Sequence, residues 1–280
     1  MAESPVVDIW VNLLPPEEAR RFLDQEQNRR IEEFFGSDVS SGTGAEELLA
    51  LMDALGVGTG VLTGAVGAGA DMMFDLADRF PGRLFVSAMV DQATRPTAMV
   101  KGLRELAQRP RFVMVRVVPL VEQHPINSRL YYPVYAACEE LGLPVAINVG
   151  VPGPLVRSRC QDPVLLEDVL IDFPDLVVIG AHMGHPYERL LIQYMMKWPN
   201  LYLSTTAYSA RYMDEELVRF MGSSRGHGKV LFGSDHPFLP LPKALDTARA
   251  LPLSEEARAA FLGGTAARLL SRDGAPDAGP

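Results

Sequence analysis

Cysteine is nearly absent from this chain. Cys138, in a helix-like segment, and Cys160, in a loop-like one, are the only two, and neither stands at metal-ligand spacing from another cysteine. That excludes a disulfide framework or a zinc-thiolate centre, and both thiols are expected to be reduced. Neither carries the local signature of a nucleophile. Positive charge is also scarce: 26 Lys and Arg stand against 35 Asp and Glu, a net charge of −9. No stretch gathers basic residues free of carboxylates, which excludes a phosphate-backbone partner. No apolar run approaches the roughly 20 residues of a membrane-spanning helix. The opening MAESPVVDIW has no basic leader followed by an apolar core, so a soluble, cytoplasmic protein is expected, with neither nucleic acid nor membrane as a partner.

What the chain does have is a rhythm. Apolar, β-branched segments of strand length recur at 6–13, 57–63, 84–90, 112–119, 144–150, 176–184, 201–208 and 230–238. Helix-like patterns lie between them, among them AEELLALMDALG, YYPVYAACEELG, PVLLEDVLIDFP and YERLLIQYMMKWP, each closed by Gly or Pro. Eight strand–helix alternations predict an α/β fold, a parallel (β/α)8 TIM barrel, and 280 residues fit one such domain. The barrel is expected over residues 1–270. A charged stretch after the first strand, from Pro15 and Pro16 with Glu17 and Glu18, reads as a helical excursion over the barrel mouth. The Gly- and Pro-rich tail 271–280 is expected to be disordered.

Reactive groups of such barrels stand at the C-terminal ends of the strands. Residues two apart on a strand face the same way, so Trp10 and Asn12 share one side at the end of strand one. Strand four offers Arg116, strand five Asn148, strand six His182, strand seven Thr206 and Tyr208, and strand eight Asp235.

Strand one with LLPPEE after it, HPINSRLYYPVYAACEELGLPVAINVG, AHMGHPY, LFGSDHPF and GGTAARLL follow one another in an order that resembles the amidohydrolase superfamily. The likeness is to the branch of small-acid decarboxylases and hydrolases, and it covers nearly the whole chain. It implies a divalent metal held by two His on strand one, further His on strands five and six, and an Asp on strand eight that also handles the proton of the attacking water. Set on this chain, the resemblance keeps His182 and Asp235. Trp10 and Asn12 stand where the strand-one pair would be, and Asn148 where the strand-five His would be. An indole N–H has no free lone pair, and an amide oxygen is a weak ligand for zinc-like ions. A degenerate metal site follows, with no cofactor expected. The alternative is one divalent metal such as zinc near His182 and Asp235, rebuilt with His124, His185 or His236.

The chemistry expected is metal-independent acid–base catalysis on a small carboxylate or carbonyl compound: decarboxylation, C–C cleavage or hydrolysis. His182 and Asp235 would form a proton-transferring dyad if within hydrogen-bond reach, and Asn12 and Asn148 would hold an oxyanion through their amide N–H groups or fill a former metal cavity. Trp10 and Tyr208 would bind something planar, as Tyr212 also hints. Arg116, Arg157 and Arg159 would bind an anion or be paired with acidic neighbours. Two other readings stay open: an inactive barrel that binds a small molecule or a partner protein, and a metallohydrolase with a relocated metal. A homodimer is plausible for such a barrel.

Overall fold

The computed structural model describes residues 5–66, 68–91 and 93–271. The expected tail therefore lies, beyond Ser271, outside the described residues. Eight parallel strands form one sheet in sequence order: β1 (Val6–Val11), β2 (Val57–Ala65), β3 (Leu84–Val90), β4 (Phe112–Val117), β5 (Val145–Asn148), β6 (Val178–Ala181), β7 (Leu201–Ser204) and β8 (Val230–Leu231). Each begins within the segment that apolar patterning marks out. Helices between them cover the outside, so the strands are buried on both faces and their sequences read as near-continuous apolar runs, broken at Asp8 and Arg116 among others. The fold is a single-domain (β/α)8 barrel.

Two apolar clusters result. The larger lies between sheet and helices and includes Leu62, Val86, Val115, Ile147 and Val178. The smaller fills the barrel, with Val7, Ile9, Val61, Phe85, Val113 and Ile179 packed against Ala266 and Leu270 of the last helix turns. Trp10 joins this inner cluster beside Ile9, which strict alternation forbids. A register shift between Asp8 and Val11 makes it possible, as bulges do near sites.

Regular β8 is only two residues long, against the nine expected. The chain leaves the ladder at Phe232, whose N–H donates to Phe261 O at 3.0 Å. The seam with β1 is closed by the Phe232 carbonyl, which accepts from Ile9 N–H at 3.4 Å, and by the segment that follows: Asp235 N–H donates to Trp10 O at 2.8 Å and Asn12 N–H to His236 O at 2.9 Å. Asp8, fully buried, accepts from Ser234 N at 2.9 Å and Ser234 Oγ at 2.5 Å. A strand-one carboxylate thus ties the barrel shut directly below the site.

The excursion after β1 is helical, at Pro16–Leu23 and Ile31–Phe35 with a short turn between. It lies against the loop after β5: Leu155 N–H donates to Gln27 O at 2.7 Å. Phe34 meets the Tyr208 ring at 6.4 Å between centroids. Among the described residues no helix is long and apolar enough to cross a membrane.

Candidate functional site

At the C-terminal mouth the polar residues form two layers. The deeper one is built around Arg116, which is completely buried. Its guanidinium carbon lies 3.6 Å from the centre of the Trp10 ring, and Nη2 donates to Ile9 O and Val61 O, both at 3.2 Å. Nε and Nη1 have no partner. Burial lowers this guanidinium to a pKa of about 9, against the support of Asp235 and Asp8, so it is a cation at neutral pH.

Both carboxylates answer to the same burial. Desolvation raises Asp8 to about 6, opposed by the Ser234 and Trp10 hydrogen bonds and by Arg116. It raises Asp235 to about 7, opposed by Asn12, by Arg116 and by the Trp10 side chain, and helped by Asp8. Asn12 is fully used: Nδ2 donates to Asp235 Oδ1 at 2.8 Å, and Oδ1 accepts from Thr63 Oγ1 at 3.1 Å.

The upper layer belongs to His182. At the ends of β6, β7 and β8 the backbone passes through the left-handed region at His182, Ala207 and Asp235, with φ of 65°, 65° and 66°. Non-glycine residues in that region store strain of about 1–3 kcal/mol each, which concentrates at functional positions. Thr206 pins His182 twice, accepting from its backbone N–H at 2.9 Å and lying 3.0 Å from its Nδ1. Nδ1 is also 3.3 Å from Thr206 O, which can only accept. A proton on Nδ1 satisfies that carbonyl and leaves the lone pair on Nε2. Burial lowers this imidazole to about 4, Thr206 opposing and Arg116 adding to the shift. His182 is neutral at neutral pH.

His182 and Asp235 are not hydrogen-bonded to each other; the expected direct dyad does not form. Trp10 stands between them, meeting the His182 ring edge-on at 4.9 Å between centroids while its side chain bonds Asp235. Trp10 is itself buried, with one face covered by Arg116.

A cavity of about 50 Å³ opens beside His182, lined also by Asn148, Gln161, Tyr208, Leu120 and Val149. Asn148 Oδ1 and Gln161 Oε1 are buried there without partners. Tyr208 Oη donates to Val151 O at 3.0 Å across the cavity mouth. Arg157 and Arg159 are exposed on the β5 loop and do not line the cavity, and Tyr212 is exposed. His185 pairs with Glu188 at 2.7 Å, and His236 with Thr43 at 2.9 Å. His124 lies against Tyr131. Among the described residues no group of three or more His, Cys, Asp or Glu side chains is placed to hold a metal ion.

Three participants escape sequence reasoning. Asp8 and Thr63 sit inside strands, where Asp8 leaves one signal, a carboxylate in an apolar run. Gln161 has no sequence signal at all. It arrives because Gly150, at φ 88°, turns the chain where a Cβ would meet His185 O at 2.5 Å, and Gln161 Nε2 then donates to Gly150 O at 3.0 Å.

A family model described as Amidohydrolase matches residues 7–272. No curated protein matches significantly. Among solved structures, an uncharacterized TIM-barrel protein from Bordetella bronchiseptica is 24% identical, with a TM-score of 0.78 over 95% of this chain and 98% of that one. 5-Carboxyvanillate decarboxylase from Sphingomonas paucimobilis is 16% identical, with a TM-score of 0.73 over 95% and 99%. A dihydroxybenzoic acid decarboxylase from Polaromonas sp. JS666, with bound manganese and the inhibitor 2-nitroresorcinol, is 15% identical with a TM-score of 0.73 over 97% and 99%. At these identities the likeness is one of fold.

Proposed function

The chain belongs to the amidohydrolase family, and from that membership we propose that it is a hydrolase or carboxy-lyase that moves protons through His182 on a small carboxylate or carbonyl compound, without a catalytic metal. The observation that carries this reading is the placement of His182: its ring lines the cavity, and its Nδ1 lies 3.0 Å from Thr206 Oγ1 and 3.3 Å from Thr206 O, where a proton on Nδ1 would leave Nε2 as the base. A neutral imidazole so held can accept a proton and return it. Asp235, brought near neutrality by burial, is the second proton-exchanging group, linked to His182 through Trp10 rather than directly. Asn148 is free to hold a developing charge by its amide.

The residues present do not fit a divalent ion. Trp10 offers no lone pair, Asn12 has both ends of its amide engaged, and a buried guanidinium lies over Trp10 where a dication would be repelled. The manganese of the Polaromonas decarboxylase therefore does not transfer to this chain on the chemistry of its donors.

The cavity is smaller than the roughly 300 Å³ and above of ordinary ligand sites. Turnover therefore requires the Tyr208–Val151 contact to part. The test is elemental analysis of protein purified without chelators, joined to turnover of a panel of small hydroxylated acids and lactones. Metal well below one per chain, with chelator-resistant turnover that His182→Ala abolishes, is the expected result. Stoichiometric metal required for turnover, or full activity in His182→Ala, would overturn the reading.

A further inference from the structure

A second imidazole stands at this mouth. Three successive residues, His182, Met183 and Gly184, take φ of 65°, 59° and 65°. This left-handed turn brings His185 to the rim beside the end of β5, where its carbonyl accepts from Val151 N–H at 2.9 Å. Glu188 opens the helix Glu188–Lys197 and is 4% exposed. Its carboxylate bonds no backbone N–H of that helix; Oε1 lies instead 2.7 Å from His185 Nδ1. The neighbouring Arg189 pairs with Asp214 and Glu216. An ionised carboxylate only accepts, so a proton on Nδ1 satisfies it and leaves the lone pair on Nε2. The His185 side chain is 44% exposed, and its Nε2 is neither bonded nor sealed from water. Its ring lies 5.5 Å from the ring of Tyr208, the residue that lines the His182 cavity and bonds Val151 O. A compound entering past Tyr208 therefore passes this imidazole.

Resting on the reading of this mouth as the active site, we propose that His185 is a second proton-transferring group of the reaction and that Glu188 is its positioning residue. A buried carboxylate that orients an imidazole whose far nitrogen reaches solvent is the orienter–base arrangement of proton-transfer sites. It stands here where His182 and Asp235 do not form one. As an O–H bond of the substrate or of water breaks, its electron pair stays on oxygen and its proton forms the Nε2–H bond, while Glu188 balances the imidazolium. The same proton then passes to the leaving oxygen, or to the carbon that has lost a carboxylate, so neither residue is consumed. The cavity of about 50 Å³ takes only part of a ligand, and His185 serves the part that stays at the rim.

His227 is the internal control. Its side chain is 42% exposed, but the carboxylate paired with it, Glu256, is 87% exposed and lies 3.9 Å from Nε2 rather than beside Nδ1. Diethyl pyrocarbonate, which imidazole attacks through its lone pair, is applied to the full-length protein, and the label at each of the five histidines is followed by peptide mass spectrometry. His185 is expected to be labelled faster than His227, and Glu188→Gln, alike in shape but uncharged, is expected to lose that lead. With a panel compound that the protein turns over, His185→Ala is expected to lower kcat about 10²-fold or more with little change in KM. Added imidazole is expected to restore part of it, which a merely structural loss would not allow. Equal labelling of His185 and His227, a lead that Glu188→Gln keeps, full kcat in His185→Ala, or a loss that imidazole leaves unrepaired would each overturn the proposal. Should Glu188→Gln not fold, the two histidines of the unaltered protein still decide. Labelling needs no turnover, and the two readings fail separately. Turnover lost in His182→Ala but kept in His185→Ala removes this inference alone, and the converse pattern removes the His182 reading alone.

Discussion

The guanidinium of Arg116, fully buried, lies 3.6 Å from the centre of the Trp10 ring. This pair organises the deeper layer, since the same cation faces Asp8 and Asp235 while the same indole touches His182 and Asp235. Removing one partner of a buried charged group typically costs about 3–5 kcal/mol. Arg116→Met is expected to lose stability on that order in urea unfolding. Without the cation both carboxylates rise further in pKa, so the loss is expected to be larger at pH 8 than at pH 5; equal losses would show that the charges are not coupled.

Asp8 and Asp235 couple folding to pH. Their folded values, about 6 and about 7, exceed the usual 3.8 because burial favours the protonated form. The folded state therefore holds carboxyl protons that the unfolded state has released, and the contribution of these two groups to stability is lost as pH rises from near 3.8 through these values, while His182 and His236, each lowered to about 4 by burial, contribute in the opposite sense up to about pH 6.5. At about 1.4 kcal/mol per unit of pKa difference, Asp235 alone contributes a change of a few kcal/mol. Asp235→Asn is expected to flatten the stability–pH curve over this window, and an unchanged curve in thermal unfolding would refute the assignment.

Catalysis should keep its His182-dependent acid limb well below the ordinary histidine range. With this imidazole lowered to about 4, the His182-dependent fall in kcat/KM is expected as pH drops through about that value. His182→Ala should cost on the order of 10²–10⁴-fold, the usual worth of a positioned proton-transfer group. Thr206→Val removes the hydroxyl 3.0 Å from Nδ1, and should lower kcat/KM less than His182→Ala does. A break at pH 6.5 that persists in Asp235→Asn would show His182 to be more open to water than its burial implies.

We propose that Tyr208 gates access to the cavity, through its bond to Val151 O at 3.0 Å. Its hydroxyl, raised to about 12 by burial, stays protonated and donates to Val151 O. Tyr208→Phe should cost about 1 kcal/mol of stability and speed association, in stopped-flow measurements, of whichever panel compound the protein turns over. An association rate unaltered by the substitution would place the gate elsewhere.

The eight strands were legible because a parallel barrel buries both faces of every strand, leaving contiguous apolar runs that local composition reveals. Helix ends were legible for the same local reason: Gly56 and Gly142 take φ of 70° and 64° just past their helices. His182 and Asp235 could be found because a strand end is a position in the sequence before it is a position in space. The length of β8 could not, since Phe232 leaves the ladder for Phe261, a partner outside the strand.

Sequence by itself determined the barrel, the order of its polar strand ends, and the unsuitability of Trp10 for metal binding, for these depend on local pattern and on the chemistry of single side chains. Tertiary structure alone decided who partners whom. Arg116 is 107 residues from the Ile9 carbonyl it bonds, and Asp8 is 226 from Ser234. His182 was expected to meet Asp235 and instead bonds Thr206, while Asp235 bonds Asn12. At a barrel mouth eight strand ends converge within side-chain reach, so several pairings satisfy one sequence. Burial, the register shift in β1 and the left-handed turns at His182 and Asp235 select among them, and none of these is a property of any short stretch of chain.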